Sequence, residues 1–418
     1  MRDLLPEQAA RQIALTRTLL RSFERFGYEP VSVPPFEYAA VLEHDMGPLD
    51  PGQVLRFVEP ETGEIVALRP DMTPQVARLV ATRLAGAPPP VRLCYEGAVV
   101  RRRLERARRE RQIHQTGFEL VGLGGASGDL EVLTVAASAV RATGLTGFTL
   151  DLGHAGVAGS LVLGAAPEAR VRVIEALATK DAEETRRRAE SAGIRGRELG
   201  ALVALPGLYG GADVWSRAET VLAGTAAEAP ARELRTLYDA ACAAGLAPSL
   251  VVDLGETWSF AYYTGMLFQI LAEGPGEPVG SGGRYDSLFD RFGGARPAAG
   301  FAIDLGNLGW AIERAGTSAR PSVRVLVTLR DGGDAAREPV LGELRRLGVA
   351  CAAGPGASVA EYARAWRYSH SVELAPGGAA LVDVALGSAR RVDAVSPRDL
   401  AGAIVAFIGP QNLNSEGA

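Results

Sequence analysis

The sequence has 418 residues, which is enough for two or three domains of ordinary size. It is 47% hydrophobic and 22% charged, as is typical of a globular protein, and its formal net charge is −5. This charge argues against a dedicated nucleic-acid-binding protein, because such proteins normally carry a basic face.

The cysteines and lysines exclude several kinds of site. Cys94, Cys242 and Cys351 lie far apart, so neither a disulfide framework nor a Cys-x-x-Cys zinc site is expected. Lys180 is the only lysine and no Gly-rich loop precedes it, which excludes a Walker A phosphate-binding loop. The N-terminus lacks the apolar core of a signal peptide, and no apolar run is long enough to span a bilayer. We therefore expect a cytoplasmic protein without a membrane partner, a metal or a cofactor.

The first predicted elements are a helix, a strand and a hairpin. Residues 7–26 place apolar side chains at helical spacing, and Gly27 suits the position just after a helix. The segment 28–35 predicts a strand that two prolines end. Residues 52–68 predict a β-hairpin with a polar, glycine-containing turn.

A second helix is predicted after the run Arg69-Pro70-Asp71, with Pro74 in its first turn. Either Asp71 or Thr73 can cap this helix, because a side-chain oxygen can accept a hydrogen bond from the unpaired N–H groups of the first turn. Capping alone is a sufficient explanation of both residues at this point.

The stretch from Val91 to Gly122 predicts two strands joined by an arginine-rich loop. The two-residue period of strands places Arg101, Gln115 and Glu119 on one surface of this hairpin. We do not expect that surface to be core, because buried charges need partners. A cation, an amide and a carboxylate together suit a zwitterionic ligand. The alternative is an ordinary hairpin with a solvated basic loop.

The pattern of apolar and polar residues along the chain predicts two domains. A core spans 1–318 and contains a helical insertion at about 157–248. The residue pattern typical of β-strands begins again at Leu250. A small α/β domain follows at 321–410, and the tail at 411–418 is predicted to be disordered. The Arg and acidic residues of the small domain are roughly balanced, so it shows no basic face.

Several motifs together resemble the histidyl-tRNA synthetases. The resemblance covers about residues 1–315, and its Tyr-Tyr-Thr-Gly and Gly-Gly-Arg-Tyr-Asp runs are specific to that family. It implies an α+β fold: a class II aminoacyl-tRNA synthetase-like antiparallel sheet core with a helical insertion, plus a small C-terminal α/β domain. The matching positions are Tyr95, Gly97, Arg101, Arg109, Arg111, Gln112, His114, Gln115, Gly117 and Glu119, then Tyr262, Tyr263, Thr264, Gly265, Phe268, Gly282, Gly283, Arg284, Tyr285, Asp286, Gly300, Phe301 and Ala302.

The resemblance also implies a histidine-binding pocket. Carboxylate and amide oxygens suit the α-ammonium group, and a guanidinium suits the carboxylate because it donates two parallel hydrogen bonds. A carboxylate and a hydroxyl suit the imidazole nitrogens. The histidine-binding residues that the resemblance implies are Asp71, Thr73, Arg101, Gln115, Glu119, Tyr262 and Tyr263.

The positions that contact ATP in the synthetases are changed. Trp258 stands where that family has an arginine before the tyrosine pair, and Asn307 stands where an arginine binds the γ-phosphate. Asp304 and Gly306 depart from the same motif, and Arg103 replaces a glutamate at the adenine end. Removing one cation that stabilises the transition state costs on the order of 3 kcal/mol, and two are absent. We expect no catalytic residue and no useful activation of histidine.

A synthetase-like core with a histidine pocket and without ATP contacts resembles the regulatory subunits of ATP phosphoribosyltransferase. That resemblance implies a non-catalytic role in histidine biosynthesis, with the short-form catalytic subunit as partner and histidine as feedback effector. It also implies a homodimer through the core within a hetero-oligomer. The alternatives are an active histidyl-tRNA synthetase with shifted ATP contacts, and a free-standing histidine sensor or RNA-binding pseudo-synthetase. No nucleic-acid partner is expected.

Overall fold

The computed structural model of the chain describes residues 3–43, 54–101, 111–257, 263–316, 323–330, 337–355, 358–394 and 396–409. The chain divides into two compact units, Met1–Ser318 and Ala319–Ala418. The elements of the first unit are α1 (Pro6–Glu24), β1 (Glu29–Pro30), β2 (Phe36–Tyr38), α2 (Ala39–Glu43), β3 (Arg56–Val58), β4 (Ile65–Leu68), α3 (Thr73–Thr82), β5 (Val91–Val100), β6 (Gln112–Val121), α4 (Gly125–Ala142), β7 (Phe148–His154), α5 (Ala155–Val162), α6 (Pro167–Ala178), α7 (Ala182–Ser191), α8 (Gly196–Ala204), β8 (Tyr209–Gly210), α9 (Val214–Leu222), α10 (Glu228–Ala243), β9 (Leu250–Asp253), β10 (Met266–Ala272), β11 (Gly280–Arg284), β12 (Ala298–Asp304) and α11 (Leu305–Arg314).

A nine-stranded sheet organises the first unit, with strand order β1-β5-β6-β12-β11-β10-β7-β9-β8. All neighbouring strands are antiparallel except β1 with β5 and β7 with β9. A separate antiparallel sheet has the order β2-β4-β3 and includes the predicted hairpin near residue 60. The prediction of an α+β fold built on an antiparallel sheet is confirmed.

The two faces of the large sheet belong to different hydrophobic cores, because successive side chains of a strand point to opposite sides. On one face, Cys94, Phe118 and Leu120 pack in the cluster that contains the buried residues of α1 and α4. On the other face, Tyr95 and Val121 pack with buried residues of α3. The site described below lies on this second face, between the hairpin β5–β6 and α3.

Helix α1 shows how spacing translates into packing. Leu15, Leu19 and Phe23 recur every four residues and are buried, which places one stripe of the helix against the sheet. Ile13 and Phe26 lie off this stripe and are exposed. Gly27 follows with φ of 82°, a left-handed conformation that glycine adopts without steric cost and that ends the helix.

The region predicted as a helical insertion contains α5 to α10, with the two-residue strand β8 joined to the edge of the large sheet. Lys180 follows α6 and anchors it to the sheet: its ammonium donates to both carboxylate oxygens of Asp253, at 2.9 and 3.1 Å, and to the carbonyl of Gly255. Within the described ranges given above, no helix is both long and apolar enough to cross a bilayer.

The second unit is a small α/β domain with strand order β14-β13-β15-β16-β17. The strands β14, β13 and β15 are parallel, and β15, β16 and β17 are antiparallel. Its third parallel strand and its last helix were not predicted from the sequence, and the predicted tail at 411–418 lies outside the described residues. Its elements are β13 (Arg324–Leu329), α12 (Glu338–Arg346), β14 (Ala350–Ala353), α13 (Val359–Ala365), β15 (His370–Ala375), β16 (Gly378–Asp383), β17 (Ala389–Asp393) and α14 (Pro397–Ile408).

Candidate functional site

The carboxyl group of Glu119 is the centre of the site. Glu119 lies on β6 and is only 2% exposed. The Thr73 hydroxyl, from the first residue of α3, donates to Oε1 at 2.7 Å, and the Tyr95 hydroxyl, from β5, donates to the same oxygen at 2.9 Å. Within the part of the chain that the structure describes, the second oxygen, Oε2, is buried without a hydrogen-bond partner. A buried oxygen of this kind is costly unless a ligand supplies the partner.

The environment of Glu119 disfavours its charged form. Burial is the largest cause and raises the pKa of this carboxyl group well above its ordinary value. The hydrogen bonds from Thr73 and Tyr95 oppose this rise in pKa, because they stabilise the carboxylate, and the negative charge of Asp71 adds to it. The direction follows from burial without a cation partner.

Three glycines form the floor of the site. A side chain at any of them would overlap a side chain of the site. A Cβ at Gly300 would overlap Oε2 of Glu119, which lies directly across the β6–β12 pair. A Cβ at Gly117 would lie 2.7 Å from the Tyr95 hydroxyl, and one at Gly283 would lie 2.6 Å from the Tyr263 ring. The absent side chains therefore let the polar groups lie flat on the sheet.

Asp71, Arg101 and Tyr263 surround this floor. Asp71 accepts a hydrogen bond from the backbone N–H of Met72 at 2.7 Å, and Arg101 Nε donates to the Pro70 carbonyl at 2.7 Å. Burial raises the pKa of the Tyr263 hydroxyl, the charges of Asp71 and Glu119 raise it further, and Arg101 lowers it. The three residues thus share one electrostatic environment with Glu119.

Gln115 adds an amide to the same sheet face. It lies four residues before Glu119 on β6 and pairs across the sheet with Gly97 on one side and Asp304 on the other. Its side chain is 7% exposed, and its Oε1 is buried without a hydrogen-bond partner in the described ranges. An amide oxygen and a carboxylate oxygen on one buried face can both accept hydrogen bonds from a cationic or N–H-bearing ligand.

Two expectations from the sequence are wrong. The surface that carries Gln115 and Glu119 is buried, because α3 covers it and hydroxyl groups of Thr73 and Tyr95 serve as partners for the carboxylate. Thr73 also does not cap α3: the residue before the helix is Met72, no side chain caps it, and the threonine hydroxyl points to β6 instead.

The structure describes some of the positions at which this chain differs from the ATP contacts of the synthetases, but not all of them. Asn307 lies in the first turn of α11, is 2% exposed, and its side-chain amide donates to the Pro278 carbonyl at 2.8 Å. Asp304 caps this helix by accepting hydrogen bonds from two backbone N–H groups. The predicted positions Tyr262, Trp258 and Arg103 lie outside the described residues.

Sequence reasoning did not assign a site role to Tyr95 or Gly300. Tyr95 could have been found, since the strand period of two places it on the same face as Arg101. Gly300 could not, because its role depends on the pairing of β12 with β6, strands separated by more than a hundred residues.

The fold and the matched motifs define a histidyl-tRNA synthetase-like protein. The family model of histidyl-tRNA synthetases matches residues 1–308. The solved structure of a histidyl-tRNA synthetase from Nostoc sp. superposes with a TM-score of 0.77 at 20% identity over 97% of both chains, which shows the fold.

The sequence relatives narrow the family further. A protein of Syntrophotalea carbinolica named ATP phosphoribosyltransferase regulatory subunit is 38% identical over 84% of this chain and 83% of its own length. One of Anaeromyxobacter dehalogenans with the same name is 40% identical over 81% of this chain and 97% of its own length. A solved structure from Bacillus halodurans, described as an ATP phosphoribosyltransferase regulatory subunit/histidyl-tRNA synthetase, has a TM-score of 0.77 at 25% identity over 89% of this chain and 96% of that chain. The chain belongs to the family of ATP phosphoribosyltransferase regulatory subunits.

Proposed function

We propose that the chain is a non-catalytic regulatory subunit that activates a short-form ATP phosphoribosyltransferase catalytic subunit and transmits inhibition by histidine. The names of its relatives support the partnership with that enzyme. The observation that carries the effector is the buried Oε2 of Glu119, which lacks a partner in the described part of the chain and lies on a floor of glycines. An effector transmits a signal only if it binds one assembly state more tightly than another.

The polar groups of the site match the three ends of histidine. The oxygens of Asp71 and Gln115 suit the ammonium group, the guanidinium of Arg101 suits the carboxylate, and Glu119 with Tyr263 suits the imidazole. Thr73 orients Glu119 through its hydroxyl. Tyr262 completes the proposed set.

Calorimetry on the full chain tests the pocket with three ligands. Histidine is expected to bind, and phenylalanine, which cannot pair with Glu119, is expected not to bind. Histidinol lacks the carboxylate and is expected to bind more weakly, by about tenfold or more, because the arginine loses a charge-assisted partner worth roughly 1.5–3 kcal/mol. Absence of histidine binding at millimolar concentration contradicts the pocket assignment.

A kinetic assay tests the regulatory role. The short catalytic subunit is expected to turn over faster when this chain is added, and histidine is expected to reverse the gain. Equal turnover with and without the chain contradicts the role.

Loss of synthetase activity belongs to the same proposal. Asn307 is neutral and its amide is engaged by a backbone carbonyl, so this position offers no cation to a phosphate. Histidine-dependent ATP–pyrophosphate exchange is expected to be absent. Exchange at the rate of a synthetase favours the alternative, an active histidyl-tRNA synthetase.

We also propose that the chain forms a homodimer through its small three-stranded sheet. Phe36, Tyr38 and Phe57 are each more than 40% exposed. Tyr38 and Phe57 both pair with Val66, so they lie on one face of the sheet, and the Phe36 ring lies 5.9 Å from that of Phe57. An exposed cluster of aromatic side chains is typical of an interface.

Light scattering tests this interface with a matched pair of variants. Phe57→Glu is expected to give a monomer. Ile65→Glu changes another exposed apolar residue of the same sheet, whose side chain points to the opposite face, and it is expected to leave the dimer intact. A dimer that survives Phe57→Glu contradicts the proposed face.

A further inference from the structure

The surroundings of Glu119 leave its charge without compensation. In the described part of the chain, its two hydrogen-bond donors are neutral hydroxyls, and both contact the same oxygen, Oε1. The remaining oxygen, Oε2, faces the space above Gly300 and is inaccessible to water. A buried carboxylate without a cation is expensive, so the empty site favours a neutral carboxylic acid.

The other ionisable groups around the site do not remove this cost. Asp71, beside the start of α3, is negative and adds to the repulsion, and Tyr95 and Tyr263 are neutral phenols at physiological pH. Arg101, at the end of β5, is the one cation among the described residues assigned to the site, and its Nε is held by the Pro70 carbonyl. The Tyr285 hydroxyl, from the residue after β11, lies against the same position above Gly300 as Oε2 of Glu119, and it brings no cation to the site.

We propose that the pocket binds histidine with one proton shared between the Glu119 carboxyl group and the imidazole ring. The proposal rests on the histidine-binding function argued above and adds how that binding depends on pH. A carboxylic acid that meets a neutral imidazole can donate its O–H to the ring nitrogen, or transfer the proton to form an adjacent ion pair. In both forms the buried pair carries one proton in total and no net charge.

The number of protons before and after binding predicts a bounded pH range for tight binding. Free imidazole binds a proton below a pH of about 6.5. Below that pH both free partners are protonated, so binding must release one proton and affinity falls as pH falls. Above the pKa of Glu119 both free partners are deprotonated, so binding must take up one proton and affinity falls as pH rises. Between the two limits no proton is exchanged with water.

Calorimetry of histidine binding to the full chain at a series of pH values, each in two buffers of different ionisation enthalpy, tests the proposal. Affinity is expected to be about tenfold lower at pH 5.5 than at pH 7.5. At acid pH, the number of protons released per histidine bound is expected to approach one. Tighter binding at pH 5.5 than at pH 7.5 overturns the proposal, because Glu119 would then be ionised already in the empty site and would not bring the shared proton. A flat profile overturns it as well.

Two controls separate the shared proton from other effects of pH. A triazole analogue of histidine has a far less basic ring, so its affinity at pH 5.5 is expected to equal its affinity at pH 7.5. If both ligands lose affinity equally on going to pH 5.5, the proposal is overturned. The variant Glu119→Gln keeps a neutral donor but cannot lose a proton. It is expected to abolish the proton uptake on the alkaline side, and uptake that persists in this variant overturns the assignment to Glu119.

The outcomes distinguish the shared proton from the histidine-binding function on which it rests. If histidine does not bind at any pH, the proposed pocket is wrong and this inference is overturned with it. If histidine binds tightly but with a proton count other than the one described, the pocket stands and only the shared proton is refuted.

Discussion

Replacement of Asp151 by Asn is expected to stabilise the protein, and to do so more at alkaline pH. Oxygen atoms of Asp151, Asp253 and Glu256 lie within 4.8 Å of one another, next to the ammonium of Lys180. That ammonium bonds to Asp253, whereas Oδ1 of Asp151 is buried without a hydrogen-bond partner in the described residues. Burial, and then the charges of Asp253 and Glu256, raise the pKa of Asp151 from 3.8 to about 7, with Lys180 opposing.

The size of the effect follows from this shift in pKa. The unfolded chain loses the Asp151 proton near pH 3.8 and the folded chain near pH 7, so the folded state loses stability as pH rises through that interval. At about 1.36 kcal/mol per pH unit, the full loss is about 4 kcal/mol above pH 7, of which less than half is present at pH 5. Because Asn does not ionise, Asp151→Asn avoids this loss.

Urea unfolding followed by tryptophan fluorescence measures the effect. The free energy of unfolding of Asp151→Asn relative to the unmodified chain is expected to increase by roughly 3 kcal/mol from pH 5 to pH 8. Asp213→Asn, which changes an exposed carboxylate, is the control and is expected to show no such increase. Parallel stability curves for the unmodified chain and Asp151→Asn would refute the reasoning, since Asp151 would then titrate alike in the folded and unfolded states.

Three further predictions concern the site. Thr73→Val removes one of the two donors to Glu119 and is expected to weaken histidine binding about tenfold in calorimetry, while Thr73→Ser retains it; equal affinities would show that the hydroxyl does not orient Glu119. Gly300→Ala places a methyl group on Oε2 of Glu119 and is expected to abolish histidine binding, whereas Gly294→Ala, whose Cβ meets open space, leaves it unchanged; binding by Gly300→Ala contradicts the described floor. Asn307→Arg forces a guanidinium into a buried position and is expected to lower the thermal midpoint without restoring ATP–pyrophosphate exchange. Restored exchange in that variant would show that the position still faces a nucleotide.

The sequence alone was sufficient for features that depend on neighbours along the chain. The two-residue period predicted that Gln115 and Glu119 share a sheet face, and the structure places both on β6, four residues apart, as expected. The helical spacing of apolar residues predicted α1, but only part of that apolar set is buried: Leu15, Leu19 and Phe23 face the sheet, whereas Ile13 and Phe26 are exposed. The α+β fold was implied by the resemblance of the motifs to those of histidyl-tRNA synthetases, and it is confirmed. Side-chain direction within a strand or helix is local geometry, so it can be predicted without knowledge of the fold.

Tertiary structure decided what those faces contact. The rule for helix caps left either Asp71 or Thr73 as the cap of α3, but no side chain caps this helix, and the Thr73 hydroxyl bonds to Glu119, 46 residues away in sequence. The sheet face that carries Gln115 and Glu119 is buried, although its charged and polar residues predicted that it would not be core. Gly300 opens the site only because β12 pairs with β6. Burial and hydrogen-bond partners depend on elements distant in the chain, and these set both the cost of ionising Glu119 and the space left for a ligand.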